Sequence, residues 1–203
     1  MILYGASGHA KVIIDILKLN KIPVTAIYDD RAPFTLLNYK VSKMDWQNIQ
    51  SNDDYLITIG RNATRRLLAD KLTGVQFGQA IHPRSIIDQT ASIGAGSVVM
   101  GGAVINSSVT IGKHCIINTA ASIDHDCVIG DFAHISPNAT LSGNVQVGEG
   151  THIGSGAVVI QGVKIGKWVM IGAGAVIIRD VPDGVTVVGN PGRIIKKSNP
   201  KSS

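Results

Sequence analysis

An aliphatic residue returns at every sixth position from Ile81 to Ile177 without one slip of phase. The column reads Ile81, Ile87, Ile93, Val99, Ile105, Ile111, Ile117, Ile123, Ile129, Ile135, Leu141, Val147, Ile153, Val159, Ile165, Ile171 and Ile177, which is seventeen hexads. Four residues after each stands a small or β-branched residue, as at Ala91, Ala103, Cys115, Ala133 and Ala157. A period of six is neither helical nor a simple alternation, so the unit is one short strand plus one corner. Three such sides close a triangular coil whose strands stack about 4.8 Å apart, giving nearly six coils and a prism about 27 Å long. A β-sandwich of short strands would need irregular spacing with turn clusters between runs.

A chain of 203 residues leaves room for a second, smaller unit. Residues 2–4 read as a strand, Gly5 to His9 as a glycine turn and Ala10 to Leu19 as a helix. Val24 to Tyr28 and Tyr55 to Ile59 read as further strands, and Ala63 to Leu72 as a second helix. This alternation is half of a Rossmann-like sheet. The expected division is therefore an α/β Rossmann-like domain over 1–78, an all-β coil over 79–183, and a C-terminal cap and tail over 184–203. Gly184 to Ile195 leaves the hexad phase and is expected to fold back over the last coil, which a solenoid end needs. Lys196 to Ser203 is polar and expected to be disordered.

Ligands on such a sheet sit outside the carboxyl ends of its strands, here Gly5 to His9, Asp29-Asp30 and Gly60-Arg61. The glycine turn and the following helix N-terminus favour an anion. The full dinucleotide fingerprint is absent, because Ser7 and Ala10 occupy two of its glycine positions. A tight turn that needs glycine for its backbone angles explains the same residues. The net charge of +5 is concentrated near the end, at Lys164, Lys167, Arg179, Arg193, Lys196, Lys197 and Lys201, which suits a phosphate-bearing ligand. Nucleic acid is set aside, since no aromatics interleave with these cations. The opening residues show neither a basic leader nor an apolar signal segment, and no run reaches membrane-spanning length. A cytoplasmic location without membrane insertion is expected. Cys115 and Cys127 fall in the small inward column and read as buried packing residues.

Inside the coil, His125 stands between Asp124 and Asp126, and carboxylate neighbours raise imidazole basicity and fix its tautomer. A solvated acidic turn carrying a surface histidine is the competing reading. His134 and His152 lie eighteen residues apart, one full coil, and are expected to stack on one corner. A zinc ion shared by that pair is a third reading, although no outward cysteine joins it, and no metal is expected.

These segments together resemble a known family. The turn GASGHAKV, Asp29-Asp30 after the second strand, IHP at the opening of the coil, NTAASIDHDCVIGDFAH over 118–134 and the closing VVGNPGRII look like the hexapeptide-repeat sugar acyltransferases. These include the sialic-acid O-acetyltransferases and, most similar, the N-acetyltransferases of UDP-linked 4-amino-4,6-dideoxy sugars. The resemblance implies a left-handed parallel β-helix, acetyl-CoA as cosubstrate, a UDP-amino sugar as acceptor and a homotrimer. It implies that His125 is a catalytic base and that Asp126, where the family often carries glutamate, orients it. Adjacent strand residues point apart, so that pairing requires a corner, and Asp124 is the alternative. Gly143 is implied to offer its N–H to the thioester carbonyl. Ser7, Gly8, His9, Asp29, Asp30, Gly60 and Arg61 are implied to hold the nucleotide sugar, with Asn118 and His134 lining the acceptor pocket. Coenzyme contacts are implied for His134, Gly143, Ser155, Gly172, Ala173, Gly189, Pro191 and Arg193. The family's G-x-P-A-K cap is replaced here by Gly192 and Arg193 after Pro191. Transfer to a sialic acid or another sugar hydroxyl is the alternative activity.

Overall fold

The structure, a computed structural model, describes residues 1–49 and 52–197. Its first unit is a five-stranded sheet built from β1 (Ile2–Tyr4), β2 (Ala26–Tyr28), β3 (Phe34–Leu36), β4 (Tyr39–Ser42) and β5 (Tyr55–Ile57), in the order β3-β4-β2-β1-β5. All neighbours are parallel except the β3–β4 hairpin. Helix α1 (Gly8–Leu19) follows β1 and α2 (Asn62–Lys71) follows β5. Both helices start one or two residues before the positions expected from hydrophobic pattern.

The β3–β4 hairpin falls between Asp30 and Tyr55, where the sequence pattern announces no strand. Its two-residue loop is Leu37-Asn38, and Leu37 adopts φ 51°. Hairpin loops of this length are usually announced by glycine at such a position, and a leucine there gives no signal.

Seventeen two-residue strands form the coil, from Ala80–Ile81 to Val176–Ile177, and each of them up to Val158–Val159 pairs in parallel with the strand eighteen residues on. They make three faces. Face I carries Val98–Val99, Ile116–Ile117, His134–Ile135 and His152–Ile153; face II carries Val104–Ile105, Ser122–Ile123, Thr140–Leu141 and Val158–Val159; face III carries Thr110–Ile111, Val128–Ile129 and Gln146–Val147. The aliphatic column is fully interior from Val99 onward, and the small column, including both free cysteines, packs beside it. This is the left-handed parallel β-helix of hexapeptide repeats. From Gly96 to Gly174 each corner turns through a left-handed residue, at every sixth position, with φ between 53° and 74°.

Helix α1 lies between the sheet and face I. Ala10, Ile13, Ile16 and Leu17 share one core with Leu3 and Ile27 of the sheet and with Ala80, Val98, Met100 and Ile116 of the coil. Val12 and Leu19, apolar residues of the same helix, are half exposed.

At the other end, Val185–Val188 adds to face I and turns back as the antiparallel strand Arg193–Lys197. The expected cap is thus a hairpin, and Gly192 lies so close to Ile177 that a Cβ there would come within 2.8 Å of it. The strand runs through Lys196 and Lys197, which the sequence reading gave to the tail. The rest of that tail, 198–203, lies outside the described residues.

Candidate active site

His125 and Asp126 occupy a corner between faces II and III. Asp126 takes φ 60°, a left-handed conformation that a short polar side chain tolerates, and this swings its carboxylate back onto its neighbour. His125 Nδ1 lies 2.8 Å from Asp126 Oδ2. An ionised carboxylate only accepts, so Nδ1 carries the proton and Nε2 keeps its lone pair. Asp124 instead accepts the His125 backbone N–H at 2.8 Å and the Asn106 side-chain amide at 2.9 Å. Of the two candidates, Asp126 therefore touches the ring and Asp124 fixes the backbone beneath it. The Asp126 hydrogen bond and then the Asp124 charge raise the His125 pKa above its ordinary value.

One coil further on, Gly143 lies directly under that ring. A Cβ at Gly143 would come within 2.6 Å of His125 Cε1 and 2.7 Å of Nε2. The backbone N–H of Gly143 donates to no described group, and the two residues share an open cleft of about 460 Å³ with Asp124, Ser142, Asn144, Gln161 and Gly162. Gly143→Ala is expected to push the exposed imidazole off its seat. Turnover should fall at least about tenfold while the unfolding transition stays near wild type, since only a mobile ring must move. Steady-state kinetics beside a thermal melt checks this.

The second group stands on face I. His134 and His152 are register partners on adjacent strands, with ring centroids 4.5 Å apart, so they occupy a face and not the corner expected for them. Asn118 Nδ2 lies 3.0 Å from His134 Nε2. Burial, followed by the charge of neighbouring His152, pushes His134 down to about 3. Ser155, Gly172 and Ala173 follow along the edge between faces I and II, and the Gly189 to Arg193 turn continues that line. Pro191 and Arg193 border a cavity of about 520 Å³ under the cap, together with Arg179.

A third group forms the mouth of the sheet. Ser7, Asp29 and Asp30 line a cavity of about 320 Å³ with Tyr4, Gly5 and Arg31. Asp29 accepts the Ala6 N–H at 2.9 Å and is paired with Arg31, which holds its carboxyl down to about 2. Asp30 accepts from the Tyr4 hydroxyl at 2.6 Å. Gly5 is demanded by packing, because a Cβ there would strike Ile59; Gly8 and Gly60 would meet nothing within 4 Å. Arg61 is exposed at the start of α2, and His9 is largely buried, its pKa lowered to about 4 by burial and then by Arg65.

One chain does not bring these groups together. His125 and Gly143 occupy the edge between faces II and III, whereas Asn118, Ser155 and Ala173 occupy the edge between faces I and II. Two residues escaped the sequence reading. Arg65 of α2 is 1% exposed and donates to the carbonyls of His114, Phe132, Ile59 and Gly60, tying the small domain to the coil. His114 stacks on Phe132 with centroids 5.1 Å apart. An eighteen-residue column of Gly96, His114, Phe132, Gly150 and Trp168 carried the only signal for that corner. Among the described residues, no cluster of three or more His, Cys, Asp or Glu could hold a metal, and no helix is long and apolar enough to cross a membrane.

A carboxylate-oriented imidazole over an amide N–H that donates to no described group, on a hexapeptide coil, is an arrangement suited to acyl transfer. Comparison with known proteins agrees. Residues 1–72 match the PglD N-terminal domain family, and residues 126–161 and 144–179 match the bacterial transferase hexapeptide family. A histidine-substituted perosamine N-acetyltransferase from Caulobacter crescentus, solved with CoA and GDP-perosamine, is 36% identical, with TM-score 0.91 over 97% of this chain and 96% of that one. The acetyltransferase domain of PglB from Neisseria gonorrhoeae is 37% identical, with TM-score 0.89 over 96% and 98%. WeeI from Acinetobacter baumannii is 33% identical over the same shares, with TM-score 0.89. No curated protein matches the chain. The chain belongs to the hexapeptide-repeat sugar N-acetyltransferase family and is an acetyltransferase.

Proposed function

We propose that the protein transfers the acetyl group of acetyl-CoA to the 4-amino group of a UDP-linked 4-amino-4,6-dideoxy sugar. The observation that carries this reading is the His125–Asp126 pair seated over Gly143 in an open cleft. The amine attacks the thioester carbonyl carbon, and the Gly143 N–H receives the developing oxyanion. His125 Nε2 takes a proton from the attacking nitrogen as the C–S bond breaks. Coenzyme A leaves as a thiolate and recovers that proton, giving amide and free thiol. No covalent enzyme intermediate enters, and both cysteines are interior, where burial raises their pKa values.

The Ser7 to His9 turn receives the sugar's phosphates, Asp29, Asp30, Gly60 and Arg61 surround the nucleoside, and the edge from Ser155 to Arg193 receives the coenzyme. Relatives carry CoA and GDP-perosamine, which supports a nucleotide-linked amino sugar and gives guanosine as a second reading for the base. The reaction is placed in the cytoplasm. The test is thiol release from acetyl-CoA with UDP- and GDP-linked amino sugars and free sialic acid in parallel. Release with a nucleotide amino sugar is expected; release with sialic acid alone would reverse the assignment.

A homotrimer completes the site. Face II joins the two edges that carry the separated groups, and its outward ladder is Ile86, Val104, Ser122, Thr140, Val158 and Val176. Ile86 is 67% exposed and Val158 36%, while face I is covered in part by α1 and face III presents Gln146 and Lys164. Turning face II towards a threefold axis sets the His125 edge of one copy against the Asn118 edge of the next. Val158→Glu is expected to give monomers by light scattering and to abolish turnover with them.

A further inference from the structure

His152 has no part in the proposed reaction, yet it is built into the wall that carries His134. The Thr119 N–H donates to Asn118 Oδ1 at 2.8 Å, which settles the orientation of that amide: Oδ1 accepts and Nδ2 donates. Nδ2 then donates to His134 Nε2 at 3.0 Å, so Nε2 is the bare nitrogen and the proton resides on Nδ1. That Nδ1 is buried and faces the Gly60 carbonyl without completing a hydrogen bond. On its other side the His134 ring rests against His152, with centroids 4.5 Å apart and 30° between planes. His152 is itself tethered, with Nε2 2.7 Å from the hydroxyl of buried Ser136.

We infer that His152 is a positioning residue: tethered by Ser136, it holds the His134 ring in the Nδ1-protonated orientation that fixes Asn118. One hydrogen of the Asn118 amide is thereby consumed by His134, and the other has no acceptor among the described residues, which leaves it for an oxygen of the ligand along the coil edge. Stacking suits this task because it constrains the ring plane without using either nitrogen. Burial lowers both imidazoles, so the pair stays uncharged at neutral pH and offers fixed dipoles. The inference rests on the acyl-transfer reading, which places Asn118 and His134 against the acceptor.

Nitrogen NMR of histidine-labelled protein tests it, with the His134 signals assigned by comparison with His134→Gln. The expected wild-type spectrum shows a neutral His134 with a bare Nε2. In His152→Ala that pattern should give way to a mixture of tautomers. There kcat/KM for the amino sugar should fall about tenfold, with the KM for acetyl-CoA within about twofold. His152→Phe, which keeps a flat ring, should recover most of the loss and serves if the alanine variant does not fold. A protonated Nε2 on His134 in the wild type, or an alanine variant unchanged in spectrum and kinetics, overturns the inference. The predicted spectrum in a protein that releases no thiol with any nucleotide amino sugar would instead count against the functional reading.

Discussion

His125→Ala is expected to lower kcat by about 10² to 10⁴-fold while leaving acetyl-CoA affinity unchanged, the range that a positioned general base contributes. The ring projects into the cleft from a corner, and its loss opens no core cavity, so the variant should melt like the wild type. A second measurement isolates the proton-transfer role. Because Asp126, and then Asp124, raise the His125 pKa, the base is protonated and idle at the acid end. The pH profile of kcat/KM should therefore rise through a pKa above the ordinary imidazole value. Asp126→Asn removes the largest of those influences, so its rise should move to lower pH, with a reduced plateau because the tautomer is no longer fixed. Stopped thiol-release assays across pH on the three proteins decide the matter. Near-normal turnover in His125→Ala, or an acid limb in Asp126→Asn that stays in place, would remove the residue from the reaction.

The coil was readable from the chain because its period is enforced at every step: one interior column must be aliphatic, and a slip of one residue would turn it to solvent. The resemblance marked His125 and left both Asp126 and Asp124 open as its partner, because the pairing needs a corner and the period does not say which residues of a hexad occupy one; the structure puts residues 125 and 126 there. What sequence could not supply was any contact whose partners are set by how the small domain docks. Arg65 looks like one more helical arginine in NATRRLLADK, yet its side chain is enclosed while the adjacent Arg66 remains exposed and pairs with Glu149 at 2.7 Å. Nothing in the helical period separates them, because which face of α2 meets the coil depends on the sheet above it. The stacked pair His134 and His152 was found by spacing and misplaced by half a hexad, from strand to corner, because spacing fixes a column without saying where along the side it runs.

Arg65 carries the second large expectation. Its guanidinium bridges the small domain and the coil, with Nε 2.7 Å from the His114 carbonyl and Nη2 2.7 Å from that of Phe132 and 2.9 Å from Asn62 Oδ1. Nη1 reaches the carbonyls of Ile59 and Gly60 at 3.0 and 3.2 Å. No carboxylate pairs with it among the described residues, so carbonyl dipoles alone compensate the buried charge, and burial lowers its pKa to about 10. It is still protonated at neutral pH. Removing the side chain would strand several buried acceptors, each costing about 1–3 kcal/mol if left dry. Water entering the gap recovers part of that, and Arg65→Met is expected to destabilise the protein by about 3–5 kcal/mol. Arg65→Lys keeps the charge but replaces a planar fork with a single ammonium, which cannot face both sides of the junction, and should lie between the two. Denaturant unfolding measures the loss, and amide exchange locates it: protection should fall first along α2 and at residues 114 and 132, with the coil interior unaffected. Since Gly60 and His134 meet across the same junction, a loosened α2 should also raise the KM for the nucleotide sugar while sparing that for acetyl-CoA. An Arg65→Met midpoint within about 1 kcal/mol of wild type would mean that the apolar contacts of α1 with face I, and not this fork, hold the two units in register.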